Sequence, residues 1–437
     1  MDTVSSNKDT VSQSKDTVGP NKAGIDVHKK MLAVIVRSQQ QDGVHYEKRT
    51  FGTNRQQLME LTIWLLDQKV SEVAMESTAQ YWRPVWAELE PHFKLRLTHP
   101  LETRAPRGRK RDFRDAQRLV DRLWAGDLAT SFIPDAQQRD WRSLTRRRVQ
   151  MKRQVVGIRN QMEGVLEECG IKLSCVVTDL LGVTGREILR AMAQGETDGE
   201  ALAGLARGSL KSKRKDLEAA VAGGLRPVQR TVMGQMLEQV SLIESQIKAL
   251  TQELVRAMSE HSVLIERLTH MPGIDVEAAQ ELLAEIGPQA EVFATPQHLA
   301  SWIGVCPGRQ ESAGISKSNR SAKGNVYLRR LVCQIAWSAV RVKDSFFEGL
   351  FRRYCPRMGP QAAIWAVAHR IVKVLWKLLR EQVDYKEKGR GAISLHTMKS
   401  KLRRYIKQLL QAGLDPEKFF KDVATPLTVA STGNGCG

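Results

Sequence analysis

AGIDVHK, residues 23–29, sets a single acid, Asp26, between Ile25 and Val27 in a run that otherwise reads as a buried strand. A charge in that position costs several kcal/mol unless it is paired or binds a cation. Working outward, MLAVIVRS (31–38) and GVHYEKRTF (43–51) read as second and third strands, joined by the polar turn that starts at Gln39. Asn54 then caps a helical pattern with Leu58, Leu61, Leu65 and Leu66 on one face. A strand at Val73–Glu76, a helix over Tyr81–Leu89, a strand at Leu95–Thr98 and a basic helix from Arg111 to Ala125 complete the segment.

The order βββ-α-β-α-β-α is that of a ribonuclease-H-like domain, in which the first and fourth strands are neighbours and the last helix packs beside them. On that frame four carboxylates converge. Asp26 lies within the first strand, Glu76 ends the fourth, and Asp112 and Asp115, spaced i, i+3, share one helix face. Oxygen-only ligation suits Mg²⁺ or Mn²⁺, and two such ions can clamp the attacking and leaving oxygens of a phosphodiester exchange. Any one of these acids has a plain alternative as a surface or capping group, or as the partner of a neighbouring arginine. The set of four in this order carries the reading.

The chain has 437 residues, enough for two or three domains. Its 67 Lys and Arg against 48 Asp and Glu leave a net charge of +19, which points to a polyanionic partner. No apolar run is long enough to span a membrane, and the first 22 residues hold no signal-peptide core. The six cysteines include no C-x-x-C pair, which suits a reducing cytoplasm and speaks against a zinc site.

The expected architecture is α/β plus α. Residues 1–22, with Asp-Thr-Val three times over, read as a disordered arm, and 23–130 as the ribonuclease-H-like domain. Residues 131–267 read as a long helical middle interrupted by a Gly-punctuated insert at 170–226. Its apolar positions alternate in steps of three and four from Met151 to Cys169 and from Met233 to Ala257, the pattern of a coiled-coil seam, with a long bundle helix as the alternative. Residues 268–384 read as a mainly helical domain. It opens on LTHMPGIDVEAAQELLAEIGP, similar to half of a helix-hairpin-helix, but Asp275 replaces the usual second glycine and favours helix packing over phosphate contact. Residues 385–437 read as one basic helix and a loose tail.

Basic residues come in three runs: seven between Arg104 and Arg118, seven between Arg139 and Arg153, and seven over 312–343 without an acid. Most charge runs are solvated faces; three runs, two beside candidate chemistry, favour phosphate binding. The expected nucleic-acid contacts are Arg107, Arg109, Lys110, Arg111, Arg114, Arg146, Arg147, Arg148, Lys317, Arg320, Lys323, Arg329 and Arg330. The third run lies in a loop dense in Ser, Gly, Lys and Arg, with Ser312, Ser316, Ser318 and Ser321 as possible nucleophiles. No nearby His or Asp completes a hydrolase triad, so an activated serine there needs a metal or a base from elsewhere.

GIDVHK, AMEST at Ala74, RDFRDA at Arg111, MPGIDVEAAQELLAEIG and GVCPGRQESAGISKSNRSAKGNVYLRR together resemble the transposases of the "insertion sequence 110" type, the bridge-RNA-guided recombinases, over about residues 22–380. The resemblance implies a RuvC-like domain with an Asp-Glu-Asp-Asp tetrad at Asp26, Glu76, Asp112 and Asp115, a coiled coil, and a C-terminal transposase domain with Ser312 as nucleophile. It further implies a covalent phosphoserine link to DNA, carboxylates supplied by a different subunit, and a structured RNA that pairs with donor and target DNA; the long helical seam between the acids and Ser312 itself points to a dimer or tetramer. A metal-dependent endonuclease of RuvC type and a non-catalytic nucleic-acid-binding protein are the alternatives.

Overall fold

The computed structural model describes residues 20–76, 79–98, 112–306, 310–312, 315–318, 321, 323–391 and 395–421. They fall into two compact units, residues 1–137 and 138–437.

The first unit holds strands β1 (Asn21–Val27), β2 (Met31–Gln40), β3 (Gly43–Gly52), β4 (Val70–Glu76) and β5 (Lys94–Thr98), with helices α1 (Arg55–Asp67), α2 (Trp82–Leu89) and α3 (Asp112–Ala125). The sheet order is β3-β2-β1-β4-β5. The first three strands pair antiparallel, while β4 is parallel to β1 and β5 to β4. This is the expected element order, with first and fourth strands adjacent. β4 starts three residues before its expected Val73, because Val70 pairs with Asn21 and the Ser71 hydroxyl donates to the Asn21 carbonyl.

Strand alternation divides β1 between two faces. Ala23, Ile25 and Val27 join the cluster beneath α1 and α2, and the Ile25 and Val27 side chains are each worth about 1.5–3 kcal/mol when buried. Gly24 and Asp26 therefore face α3. That helix lies so close that a Cβ at Gly24 would sit 2.2 Å from the Ala116 carbonyl oxygen, which is why no larger residue stands there. Its Ala116 and Val120 pack on Ile35, and its Leu119 and Leu123 on Ala74. In α1 the Asn54 side chain accepts from the Gln57 N–H as expected, and Leu58, Leu61 and Leu65 are buried. Leu66, assigned to the same face, is exposed; Thr62 is buried instead, with its hydroxyl bonded to the Leu58 carbonyl.

The second unit has two cores. One gathers α4 (Ala136–Glu168), the insert helices α5 (Leu173–Val176), α6 (Val183–Gln194), α7 (Gly199–Gly204) and α8 (Arg214–Ala220), and α9 (Pro227–Ala257). Met151, Ile158 and Met162 of α4 and Met233, Val240 and Ile243 of α9 bury themselves in a cluster with Ile188, Leu189 and Met192 of α6. The apolar seam read as a coiled coil is thus largely covered within one chain, as in the bundle alternative. The other core joins α10 (Ser262–Thr269), α11 (Val276–Ile286), α12 (Pro296–Ile303), α13 (Val326–Ala339) and α14 (Phe346–Glu381). α14 kinks at Gly359, between Pro356 and Pro360, which cannot continue the hydrogen-bond ladder. A separate helix, α15, spans Leu395–Gln411.

The turn similar to half of a helix-hairpin-helix is a packing device. Gly273 has φ +86°, and a Cβ on it would lie 2.6 Å from the Ile335 carbonyl and 2.8 Å from the Ala339 nitrogen of α13. The Asp275 side chain caps α11 by accepting from the Ala278 N–H. The chain at this glycine is pressed against a helix backbone.

Candidate metal centre and nucleic-acid surfaces

In β1, Asp26 sits two residues past Gly24 and so points to the α3 side of the sheet. Ile25 pairs with Met75 on the parallel neighbour, so Asp26 and Glu76, one residue further along their strands, stand at the same end of the sheet. Ala74 packs on α3, and Glu76 two residues on shares its face. Asp112 and Asp115 stand in the first turn of α3, and Asp112 reaches that face. Asp26 is only 7% exposed, whereas the Asp112 side chain is 48% exposed.

The convergence is tightest around a residue that the sequence reading passed over. His28 Nε2 lies 3.1 Å from Asp26 Oδ2 and 3.5 Å from Asp112 Oδ1. One ligand atom from each of Asp26, His28 and Asp112 lies within 4.8 Å of the others, a grouping able to hold a divalent cation. The signal was present in GIDVHK, since His28 is i+2 from Asp26 and period 2 puts both on one face. Asp115 is turned to Arg118 of its own helix, an ion pair of the kind the plain alternative foresaw. Thr98 pairs with Glu76 in the sheet and shares its face; it is fully buried, and its hydroxyl has no hydrogen-bond partner among the described residues. Carboxylate oxygens, one imidazole and an unsatisfied hydroxyl suit a hydrated cation.

Ser312 ends β6 (Gln310–Ser312), which pairs antiparallel with β7 (Ile315–Ser318), and Ser312 is opposite Ile315 next to the hairpin tip. The base of this loop is clamped. The Asn325 N–H donates to the Trp302 carbonyl at 3.1 Å, and the Asn325 side chain caps α13 by accepting from the Tyr327 and Leu328 amides. Arg329 Nη2 donates to Ser321 Oγ at 2.8 Å, another nitrogen bonds the Gly304 carbonyl, and the guanidinium lies over the Trp365 ring.

The expected phosphate contacts divide by environment. Arg107, Arg109, Lys110, Arg111 and Arg320 lie outside the described residues, and Lys317 stands on β7. Arg114, Arg147 and Lys323 are exposed. The other four are occupied inside the protein. Arg148 is completely buried, donating to Gln280 Oε1 at 2.8 Å and to the Glu277 carbonyl, so this conformation keeps it from any phosphate. Arg146 makes a two-pronged pair with Glu285 at 2.6 and 2.9 Å and lies over Tyr327. Burial alone would lower its pKa, but the Glu285 carboxylate outweighs that and raises it. Arg330 pairs with Glu281 at 2.8 Å, and Arg329 holds the serine loop. Of these four only Arg148 is withdrawn from solvent, because it lies on the apolar side of α4; Arg146, Arg329 and Arg330 are half-buried and held by partners within the protein. A basic patch not singled out from sequence lines a groove of about 470 Å³ between α14 and the chain after it, where Arg370, Lys373, Lys377, Lys386 and Lys388 gather.

Acids gathered at one end of a ribonuclease-H-like sheet, followed in the chain by a helical unit, accord with the DNA transposase class that the family comparisons show. Residues 23–171 match the family described as Transposase, the DEDD domain of the IS110 type, and residues 265–350 match the Transposase IS116/IS110/IS902 family. The chain belongs to the IS110 family of transposases. A "Probable family 20 transposase" of Pseudomonas aeruginosa is 25% identical over 325 residues, covering 72% of this chain and 85% of that protein. An IS110 43.6 kDa protein of Streptomyces coelicolor is 25% identical over 165 residues, 38% of this chain and 40% of its own length. An IS900 42 kDa protein of Mycobacterium paratuberculosis is 27% identical over 161 residues, 36% of this chain and 39% of its own. No helix among the described residues is long and apolar enough to cross a membrane.

Proposed function

We propose that this transposase excises and inserts its own insertion sequence by serine attack on DNA, with Mg²⁺ or Mn²⁺ held by Asp26, Glu76, Asp112 and Asp115. The meeting of Asp26 and Asp112 at one end of the sheet is the observation that carries the reading. Bound there, the metal supplies charge stabilisation for the phosphoryl group and polarises its oxygens. Ser312 Oγ gives up its proton and bonds to phosphorus, while the bond to the deoxyribose oxygen breaks and that oxygen takes a proton. One phosphodiester is exchanged for another, so a strand hydroxyl can later reverse the step without an external energy source. Exposed Arg114, Arg147 and Lys323 and the groove of Arg370 and Lys373 suit the sugar-phosphate backbone. Choice of sequence then falls to a structured bridge RNA paired with donor and target, and the protein works in the cytoplasm on the nucleoid.

Asp26 and Ser312 belong to different units, and in our reading the working form is a dimer or tetramer in which one subunit's carboxylates serve another's serine. The test incubates the protein with element-end DNA and Mg²⁺ and looks for a protein–DNA adduct stable to denaturant. Ser312→Ala should abolish the adduct, and a mixture of Ser312→Ala with Asp26→Asn subunits should recover part of it. Full cleavage by Ser312→Ala with no adduct at any stage would favour a RuvC-type hydrolase instead. No recovery in confirmed mixed oligomers would place both groups in one chain.

A further inference from the structure

We infer that His28 is a direct ligand of the metal in this site and turns its preference from Mg²⁺ toward Mn²⁺; the inference rests on the carboxylate-metal reading above. β1 ends at Val27, and His28 opens the turn to β2, its amide donating to the Met31 carbonyl at 3.0 Å. The turn fixes the backbone, and strand alternation carries the ring to the Asp26 side. Its Nε2 then lies 3.1 Å from one carboxylate oxygen and 3.5 Å from another, on two different elements. A cation bound at about 2.1 Å sets neighbouring octahedral donors roughly 3.0 Å apart. The two contacts therefore resemble edges of a coordination shell, and small side-chain shifts would complete it.

The donor set decides which ion gains. Mg²⁺ dehydrates reluctantly and takes oxygen almost exclusively. Mn²⁺ accepts carboxylate and water as readily but stands within the series of metals that also take imidazole. An imidazole in the first coordination shell thus adds to Mn²⁺ affinity and little to Mg²⁺. If His28 instead only hydrogen-bonds Asp26, both ions should respond alike to its removal. The unsatisfied Thr98 hydroxyl on the same face is a separate observation favouring a bound, hydrated ion there.

The experiment titrates Mn²⁺ and Mg²⁺ into the full-length protein without DNA. Free Mn²⁺ is read by electron paramagnetic resonance, Mg²⁺ by competition, and nitrogen coupling to bound Mn²⁺ by its pulsed form. The wild type should show ¹⁴N coupling. His28→Ala should lose that coupling and weaken Mn²⁺ binding roughly tenfold or more, with Mg²⁺ binding nearly unchanged. Mn²⁺ binding lost in Asp26→Asn but unaltered, nitrogen coupling included, in His28→Ala would overturn the inference and leave the metal reading standing. Binding indifferent to Asp26→Asn would overturn both. Should His28→Ala fail to fold, the wild-type spectrum decides alone, since absence of ¹⁴N coupling there excludes His28 as a ligand.

Discussion

Asp26 and Glu285 are both carboxylates on buried backbone, 7% and 3% exposed, yet their surroundings differ in kind. Glu285 receives two nitrogens of Arg146 and the Asn325 amide at 2.6–2.9 Å, with Arg142 Nε at 3.6 Å, so cations of the protein itself compensate it. It joins α4, α11 and the start of α13. Asp26 shares its space with an imidazole and, through it, a second carboxylate. A buried charge compensated from within is a structural joint, whereas acids gathered around a shared point suit a cation from outside. The pair of sites separates what burial alone would merge.

The largest effects should break the two sites in opposite ways. Asp26→Asn is nearly isosteric and should abolish Mg²⁺-dependent cleavage while the melting temperature stays within a degree or two of wild type. Glu285→Gln leaves two guanidinium groups without their counter-charge and should cost about 3–5 kcal/mol of stability. Cleavage assays on DNA ends beside calorimetric melting of both variants check this. An Asp26→Asn protein that cleaves normally, or a Glu285→Gln protein as stable as wild type, would remove the distinction.

The arginines extend the contrast. Arg147 and Arg148 are adjacent, but the helix sends one to solvent and the other into the core. Arg148→Ala deletes a buried side chain and leaves Gln280 without its donor, for an expected loss of about 2–4 kcal/mol. The salt dependence of DNA binding should not move. Arg147→Ala should do the reverse: unchanged melting, and a log K against log[salt] slope less negative by about 0.9, the share of one phosphate contact. Filter binding between low and moderate salt, with melting of both variants, measures the two quantities together.

These residues also mark what was legible in sequence. The strands and helices followed from periodicity, a local rule, and the sheet order from their ribonuclease-H-like succession, and of the four acids Asp26 and Asp112 meet beside His28. His28 obeyed the same rule but was overlooked, being read as part of a strand rather than as a donor. Which arginines are tied up inside the protein was not legible: Arg146 and Arg148 depend on Glu285 and Gln280, more than 130 residues away. For the same reason the α9 seam read as a coil first and a bundle only second, since the insert helix that covers Met233 and Val240 is set by long-range packing.

Glu72 offers an intermediate case with the smallest expected effect. It lies on β4 with Lys94 Nζ at 2.6 Å, Lys22 Nζ at 3.3 Å and an Arg96 nitrogen at 3.8 Å. Burial pushes its carboxyl up, but hydrogen bonds from Lys94 and Lys22 outweigh burial and hold it below its ordinary 4.5. The folded protein thus releases this proton more readily than the unfolded chain does. By linkage, the ion cluster contributes its full stability above about pH 4.5 and loses it as pH falls through the lowered folded value. Partial exposure and salt screening limit the contribution to about 1 kcal/mol. Glu72→Gln should therefore melt a few degrees below wild type at pH 7, with the gap closing as both proteins are taken below pH 4. Melting across pH 3–7 at low and high salt gives the profile. A gap that persists undiminished in acid would mean that Glu72, unlike Glu285, acts by packing rather than by charge.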